Sequence, residues 1–301
     1  MESKPVVLIT GASTGFGRLI AETLARSGGY VVYASMRDIA GKNSANAAEL
    51  RALADKESLP IRTVELDVTS DGSVQKAVDT MIGQTGRVDV AINNAGYGVV
   101  GLTEAVTSEQ AQRIMDTNVL GSVRVNRAVL PQMRRQHSGL LLHVSSGAGR
   151  VVFPSFALYC ASKFAMEAFA ESYRYELATL GIDSVILEPG AFRTPVFNNL
   201  VEAADSSRAE GYGIARQIPA KIKAYLNNAA GDPQEVADAT LRILQTPAGQ
   251  RQLRYRVNPQ GSATSAVDQL NALSQEIQTG ILKGLQLVEE TTFARGKPAS
   301  A

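Results

Sequence analysis

The sequence predicts an α/β fold in which a doubly wound parallel sheet is flanked by helices on both faces. Short β-branched runs alternate with longer helical patterns along most of the chain, and no repeat or linker-like stretch interrupts the alternation. A glycine-rich turn lies between the first apolar run and the first helical pattern. This alternation favours right-handed βαβ units, whose parallel strands need a helix layer on each face. We therefore expect one domain over residues 1–301, with its core at residues 5–257.

The individual elements follow from hydrophobic periodicity, since buried parallel strands are short apolar runs and helices repeat every three to four residues. The predicted strands are Val6–Thr10, Tyr30–Ala34, Ile61–Leu66, Val88–Asn93, Leu140–Val144, Ser184–Leu187 and Leu253–Val257. The predicted helices are Gly15–Ser27, Ala45–Glu57, Asp71–Gln84, a long one over Ser108–Arg135, Ala157–Leu180 and Asp232–Gln245.

The alternation loosens after Pro189. Residues 195–230 carry helical patterns broken by Gly211, Gly213 and Pro219, so we expect this region to cover a cleft as a substrate lid. Residues 260–301 are predicted to form a C-terminal helical extension, and the sequence leaves its role open.

Composition excludes several classes of protein. The net charge is +1 and no basic block stands out, which argues against a nucleic-acid partner. Cys160 is the single cysteine, so the chain forms no intrachain disulfide and is expected inside the cell. No apolar run approaches the roughly 18 residues that a membrane span requires, and the N-terminus has no signal-peptide pattern. We expect a cytoplasmic protein with no membrane partner.

The glycine-rich turn has the pattern T-G-x-x-x-G-x-G over Thr10–Gly17. Glycines let the backbone approach a pyrophosphate closely, and the following helix directs its first N–H groups at the anion. The alternative is a tight turn that binds no ligand. The spacing resembles the short-chain dehydrogenase/reductase family and implies a Rossmann-type nucleotide site. The expected contacts are Gly11, Ser13, Thr14, Gly15, Phe16 and Gly17.

Cofactor choice is expected at the end of the second strand, where an acidic side chain would bind the adenosine ribose of NAD. Met36 occupies the position of that acid, and Arg37 follows it. A guanidinium can bind the extra phosphate of NADP, with Thr14 as a possible hydroxyl donor. Alternatively, Arg37 is a surface charge paired with Asp38. The sequence favours NADP(H), with NAD(H) possible.

Tyr159 and Lys163 are four residues apart on a predicted helix and so share one face. Tyrosine titrates near ~10, and a nearby ammonium favours its phenolate, as acid–base catalysis at neutral pH would require. The pair alone is a weak signal. Ser146 lies thirteen residues before Tyr159, and Asn118 lies forty-one residues before it. Ser145 competes for the serine role, although the spacing favours Ser146.

These four residues resemble the Asn–Ser–Tyr–Lys tetrad of the classical branch of the same family. The resemblance implies that Tyr159 is the general acid/base, Ser146 orients the substrate oxygen, Lys163 lowers the Tyr159 pKa and binds the nicotinamide ribose, and Asn118 anchors a water relay. It also implies cofactor contacts at Asp67, Val68, Asn93, Ala95, Gly96, Tyr159, Lys163, Pro189, Gly190, Phe192 and Thr194. The first Asn of Asn93–Gly96 has a second interpretation, in which it ties neighbouring strands together.

A softer resemblance is to the hydroxysteroid and retinol dehydrogenase-like group, which implies a hydrophobic substrate. Besides Ser146, the candidate substrate contacts are Phe153, Phe192 and Phe197, which could equally be core residues. His143 is expected to be a satisfied core histidine rather than a base. No cluster of His, Cys and carboxylates has metal-ligand spacing, so no metal is predicted.

The predicted function is interconversion of a carbonyl and an alcohol by an NADP(H)-dependent oxidoreductase. Two alternatives are a non-catalytic NADP(H) sensor on the same fold and an epimerase or dehydratase of the family's extended branch. The retained tetrad disfavours the sensor, and the glycine spacing disfavours the extended branch. Family members assemble through helices that correspond to Ser108–Arg135 and Ala157–Leu180, so a homodimer or homotetramer is expected.

Overall fold

The computed structural model describes residues 4–194, 200–259 and 265–294. The strands are β1 (Val6–Ile9), β2 (Val31–Met36), β3 (Ile61–Glu65), β4 (Val90–Asn93), β5 (Val99–Val100), β6 (Gly139–Val144), β7 (Ile182–Pro189), β8 (Val201–Glu202) and β9 (Arg254–Val257). The helices are α1 (Gly15–Arg26), α2 (Ser44–Glu57), α3 (Asp71–Thr85), α4 (Ser108–Met115), α5 (Gly121–Gln136), α6 (Ala157–Glu176), α7 (Ile218–Asn227), α8 (Gln234–Gln245) and α9 (Ser265–Gly284).

Seven strands form one parallel sheet in the order β3-β2-β1-β4-β6-β7-β9. The strand order reverses between β1 and β4, and in open α/β sheets ligands bind beyond the carboxyl ends of the strands at such a switch point. The predicted fold class is confirmed, and all seven predicted strands lie in this sheet. The two-residue strands β5 and β8 pair separately and are too short to leave a sequence pattern.

Both faces of the sheet are buried because successive residues of a strand point in opposite directions. Ile9 of β1 packs in a cluster with residues of α1, α2 and α8. Leu8 belongs to a second cluster formed with α3 and α5 on the other face. Among the described residues, no helix combines the length and apolarity that crossing a membrane would require.

The long helix predicted over residues 108–135 is interrupted. A π-helical segment over Asp116–Leu120 separates α4 from α5. Periodicity cannot reveal this change, because a π turn adds only one residue to a helical turn, and such turns are frequent at functional sites. Asn118 lies within the segment.

Candidate active site

The glycine turn connects β1 to the N-terminus of α1. Gly11 and Gly15 have φ angles of +67° and +59°, in the left-handed region that favours glycine. Thr14 is exposed and precedes the first turn of α1, where helical N–H groups have no helical partner. The turn therefore presents backbone donors at the switch point, which is the arrangement that binds a pyrophosphate.

The turn is held close to β4 by two polar side chains. The Thr10 hydroxyl donates to Ile92 O and accepts from the backbone N–H groups of Asn94 and Ala95, each at 3.0 Å. The Asn94 amide donates to Thr10 O at 2.9 Å and to Gly11 O at 3.1 Å. Thr10 and Asn94 were not predicted as site residues, because their partners are backbone carbonyls and amides that carry no side-chain signature.

Close packing leaves no room for side chains on this surface. A side-chain carbon added to Gly11 would lie 2.9 Å from Ala95 Cα, and one added to Gly17 would lie 2.5 Å from Gly11 O. Beside Gly15, where an added carbon would lie 3.9 Å from Thr194 Cβ, the buried Thr194 Oγ1 has no hydrogen-bond partner among the described residues. A glycine-lined cradle beside an unpartnered hydroxyl fits a dinucleotide, whose pyrophosphate and carboxamide would supply the missing acceptors and donors.

The end of β2 carries no acidic side chain toward the cradle. Met36 is buried, whereas Arg37 is exposed and forms no ion pair with any described residue. The Asp38 carboxylate accepts from the backbone N–H of Lys42 at 2.8 Å. Arg37 is thus an exposed surface charge, as the alternative held, but it forms no ion pair with Asp38, and the guanidinium is available to an anion.

Ser146, Tyr159 and Lys163 meet beyond the carboxyl end of β6. Ser146 caps the short turn Gly147–Gly149, and its Oγ accepts from the Ala148 N–H at 3.1 Å. The Ser146 hydroxyl lies beside Tyr159, and this polar contact lowers the pKa of the phenol. The Lys163 ammonium is buried, donates to Val144 O at 2.8 Å and lies 5.7 Å from the centre of the Tyr159 ring.

The π-helical segment turns Asn118 toward this group. The Asn118 side chain accepts from the Tyr97 N–H at 3.0 Å and donates to Tyr97 O at 2.9 Å. It also donates to the Ser162 hydroxyl at 3.0 Å, next to Lys163 on α6. All four predicted catalytic residues are thus brought to one end of the sheet. Ser162, a hydrogen-bond partner of Asn118, lies with them and was not predicted from the sequence.

The family model for short chain dehydrogenases matches residues 5–205 of this chain. The chain belongs to the short-chain dehydrogenase family. Relatives include human 17-beta-hydroxysteroid dehydrogenase type 1, which is 36% identical over 251 residues, or 81% of this chain and 75% of the relative. Retinol dehydrogenase 8 from Bos taurus is 35% identical over 263 residues, or 84% of this chain and 81% of the relative.

Among solved structures, the alcohol dehydrogenase from the archaeon Thermococcus sibiricus, complexed with 5-hydroxy-NADP, is similar with a TM-score of 0.68. The two chains are 25% identical, and the match covers 87% of this chain and 99% of that chain. Together with the family match, these similarities place the protein among NAD(P)-dependent oxidoreductases that act on CH–OH groups.

Burial dominates the acid–base properties of this short-chain dehydrogenase. It raises the pKa of Tyr159 to about 12, against a smaller lowering by the Ser146 hydrogen bond. It also lowers the pKa of Lys163 to about 8. The Lys163 ammonium donates to Val144 O, and the lowering of the Tyr159 pKa by Lys163 stays a prediction.

An apolar wall stands beside Tyr159. The Phe156 ring lies 4.5 Å from the Tyr159 ring, centre to centre, and Phe153 packs in the same cluster. Phe192 is different, since its side chain is 1% exposed and packs edge-on against Phe16 in the core. A substrate contact by the Phe192 ring is therefore corrected to a core role. Phe197 lies outside the described residues.

The remaining predicted cofactor contacts line the same edge of the sheet. Asp67 accepts from the Thr69 N–H at 2.9 Å, which orients its carboxylate at the end of β3, and Val68 follows it. The Asn93 side chain instead donates to Asn126 of α5 at 2.8 Å, so it ties β4 to a helix rather than to a neighbouring strand. The nearby edge also includes Ser13, Phe16, Gly96, Pro189 and Gly190, whose cofactor contacts stay predictions.

His143 is a core residue, as predicted, but it is not satisfied. Both ring nitrogens are buried without a hydrogen-bond partner among the described residues, and burial lowers the His143 pKa to about 3. The unfolded chain binds the proton near pH 6.5, so below that pH the folded state loses stability as pH falls, by about 1.4 kcal/mol per pH unit until its own pKa.

We expect His143→Leu to remove this pH dependence and to raise the free energy of unfolding at pH 5 relative to wild type. Leucine has a similar volume and no polar atom to leave unpaired. Urea unfolding of both proteins at pH 5 and pH 8 measures the difference, and the exposed His137→Leu serves as the control. An equal pH dependence in wild type and His143→Leu would contradict the assignment.

Proposed function

We propose that this short-chain dehydrogenase interconverts a ketone or aldehyde and an alcohol with NADP(H). The observation that carries the proposal is the convergence of Ser146, Tyr159, Lys163 and Asn118 beside an apolar wall and a glycine cradle. When bound, the nicotinamide supplies or accepts the hydride. The chain must then move a proton at the substrate oxygen and stabilise the negative charge that develops there.

The hydrogen bonds of this site support these roles. Because the Ser146 Oγ accepts from the Ala148 N–H, its own proton is free to be donated to the substrate oxygen or to Tyr159. Tyr159, with its pKa raised to about 12, is protonated at neutral pH and can donate to a carbonyl oxygen during reduction. Lys163 and Asn118 support the cofactor ribose and the proton route behind Tyr159, as the tetrad resemblance implies.

A hydrophobic substrate is favoured by the surface around Tyr159. Phe153 and Phe156 form one side of it. Leu200, Ile222 and Leu226, from the described part of the proposed lid (residues 200–230), pack in the same cluster. Apolar side chains exposed around a catalytic group bind apolar ligands. The names of the two relatives, a hydroxysteroid and a retinol dehydrogenase, support the same substrate class.

NADP(H) preference is supported by the exposed Arg37 and the absence of a carboxylate at Met36. We expect Arg37→Ala to weaken NADPH binding about tenfold and to leave NADH binding unchanged, since a guanidinium hydrogen bond to phosphate is charge-assisted. Fluorescence titration of each cofactor measures both dissociation constants. Arg134→Ala, which removes an exposed charge from the end of α5, is the control. Equal weakening of NADPH and NADH binding would contradict the phosphate role.

The exposed face of α6 is a candidate surface for assembly into a homo-oligomer. Phe164 and Phe169 of α6 are 40% and 45% exposed, and the small residues Ala161 and Ala168 lie between and beside them. A helix face that exposes large apolar residues among small ones is suited to pack against a second copy. The number of copies stays a prediction.

The proposal is tested by following NADPH and NADH oxidation separately over a panel of apolar ketones and aldehydes. Turnover that is faster with NADPH and requires Tyr159 supports it. Tight NADPH binding without turnover on any carbonyl would favour the sensor alternative. Preference for NADH would refute the role of Arg37 and leave the carbonyl chemistry intact.

A further inference from the structure

A buried carboxylate lies directly behind the catalytic serine. Glu167 is on α6, one turn beyond Lys163, and its side chain is 3% exposed. Its Oε1 accepts from the Ser145 hydroxyl at 2.6 Å, within the core. Ser145 immediately precedes Ser146. The acid–base chemistry proposed above makes no use of Glu167, so a buried carboxylate at this place needs a separate reason.

Glu167 also contacts the chain on the other side of Ser146. A side-chain carbon added to Gly149 would lie 2.2 Å from Glu167 Oε1 and 2.6 Å from Ser145 Oγ, so the Gly147–Gly149 turn is packed onto this hydrogen bond. The turn ends in two backbone hydrogen bonds, from the Gly149 N–H to Ser146 O and from the Arg150 N–H to Gly147 O. Glu167 thus fixes the residues that precede and follow Ser146.

The second carboxylate oxygen is held by an arginine from the edge of the sheet. Arg254 of β9 lies 3.3 Å from Glu167 Oε2, 2.7 Å from Glu171 and 3.4 Å from Glu188 of β7. The Arg254 side chain is 6% exposed, so the centre of this ion-pair network is largely shielded from solvent. Asn271 of α9 completes it by donating to Glu188 at 3.1 Å. A carboxylate held from both sides has one orientation available.

Resting on the proposed function, we propose that Glu167 is a positioning residue that sets the Ser146 hydroxyl against Tyr159. Glu167 does not touch the reacting atoms. It anchors Ser145 before Ser146 and the Gly149 turn after it, and this turn supplies the Ala148 N–H that orients the Ser146 Oγ. If the Ser146 hydroxyl shifts, it no longer points at the substrate oxygen on which negative charge develops. Hydrogen-bond donors stabilise such a charge effectively only when they are already in position.

Four variants separate positioning from general stability. Glu167→Ala and Ser145→Ala each break the hydrogen bond from one side. Glu167→Gln keeps a carbonyl acceptor for the Ser145 hydroxyl. Glu171→Ala is the matched control, because it removes another carboxylate that pairs with Arg254 from the same helix and leaves Ser145 untouched. Ser145→Ala keeps the ion pairs of Glu167, so it remains informative if Glu167→Ala fails to fold.

We expect Glu167→Ala and Ser145→Ala to lower kcat about tenfold, with NADPH dissociation constants within about twofold of wild type. Glu167→Gln should recover most of kcat, and Glu171→Ala should retain it. Hydrogen exchange of the backbone amides of residues 148–150 should quicken in the two hydrogen-bond variants and stay slow in Glu167→Gln and Glu171→Ala.

Wild-type kcat and slow amide exchange in both Ser145→Ala and Glu167→Ala would overturn the proposal. An equal loss of kcat in Glu171→Ala would do so too, since it would assign the effect to the ion pairs as a whole. If wild type shows no turnover on any carbonyl, the proposed function fails, and the exchange rates still decide whether Glu167 holds the serine turn.

Discussion

Replacing Tyr159 with phenylalanine is expected to lower kcat about a thousandfold and to leave the NADPH dissociation constant within about twofold of wild type. A positioned proton donor contributes roughly 10²–10⁴ to the rate, and phenylalanine keeps the ring that packs on Phe156 while removing the hydroxyl beside Ser146. The loss should fall on kcat, because the phenol acts on the oxygen whose charge changes in the transition state.

Steady-state kinetics and cofactor titration of Tyr159→Phe measure the two quantities separately. Tyr175→Phe is the matched control, since it removes a phenol from the same helix at a position that contacts Glu171 and Gln275 instead of the site. A kcat within threefold of wild type in Tyr159→Phe would remove Tyr159 from the proton transfer and with it the tetrad assignment.

Replacing Gly17 with alanine is expected to weaken binding of both NADPH and NADH about a hundredfold. The added carbon would lie 2.5 Å from Gly11 O and 2.5 Å from the Asn94 amide nitrogen, and the first of these is backbone that cannot rotate away. Overpacking of this kind costs about 1–3 kcal/mol, and the clash is relieved only if the glycine turn shifts away from Asn94. The displaced turn would then lose its alignment with the N-terminus of α1.

Titration of each cofactor, with thermal unfolding as a check on the fold, measures this effect. Gly83→Ala is the control, because Gly83 lies within α3 and an added carbon there meets no atom within 4 Å. Alanine in an open helical position should stabilise the protein slightly and leave cofactor binding unchanged. Unchanged cofactor binding in Gly17→Ala would mean that the cradle is not the nucleotide site.

The contrast between Arg37 and Phe192 shows what a local sequence pattern does and does not report. Arg37 was predicted to offer a guanidinium at the end of β2, and the structure exposes it, while the neighbouring Asp38 accepts from the Lys42 N–H. The availability depends on a local turn of a few residues. Phe192 was a candidate either for a substrate contact or for the core, and the structure buries its ring against Phe16. This packing joins residues far apart in the chain, and no local pattern reports it.

The sequence by itself determined the seven strands, the glycine turn and the spacing of Asn118, Ser146, Tyr159 and Lys163. These are properties of neighbours along the chain: a buried strand is a short apolar run, a phosphate turn needs glycine, and residues four apart on a helix share a face. Chain order then fixes a parallel sheet, and a parallel sheet gathers the residues that follow its strands at one edge.

Only the tertiary structure decided how those residues are held. It formed the π-helical segment that turns Asn118 to the Tyr97 backbone, and it directed Lys163 at Val144 O. It also placed Glu167 behind Ser145. Each of these contacts joins segments that are adjacent in space and distant in sequence. Each forms because a buried polar group has no other hydrogen-bond partner nearby. The energy of such a contact comes from the desolvated polar groups that it pairs, and that pairing exists only once the sheet and both helix layers are assembled.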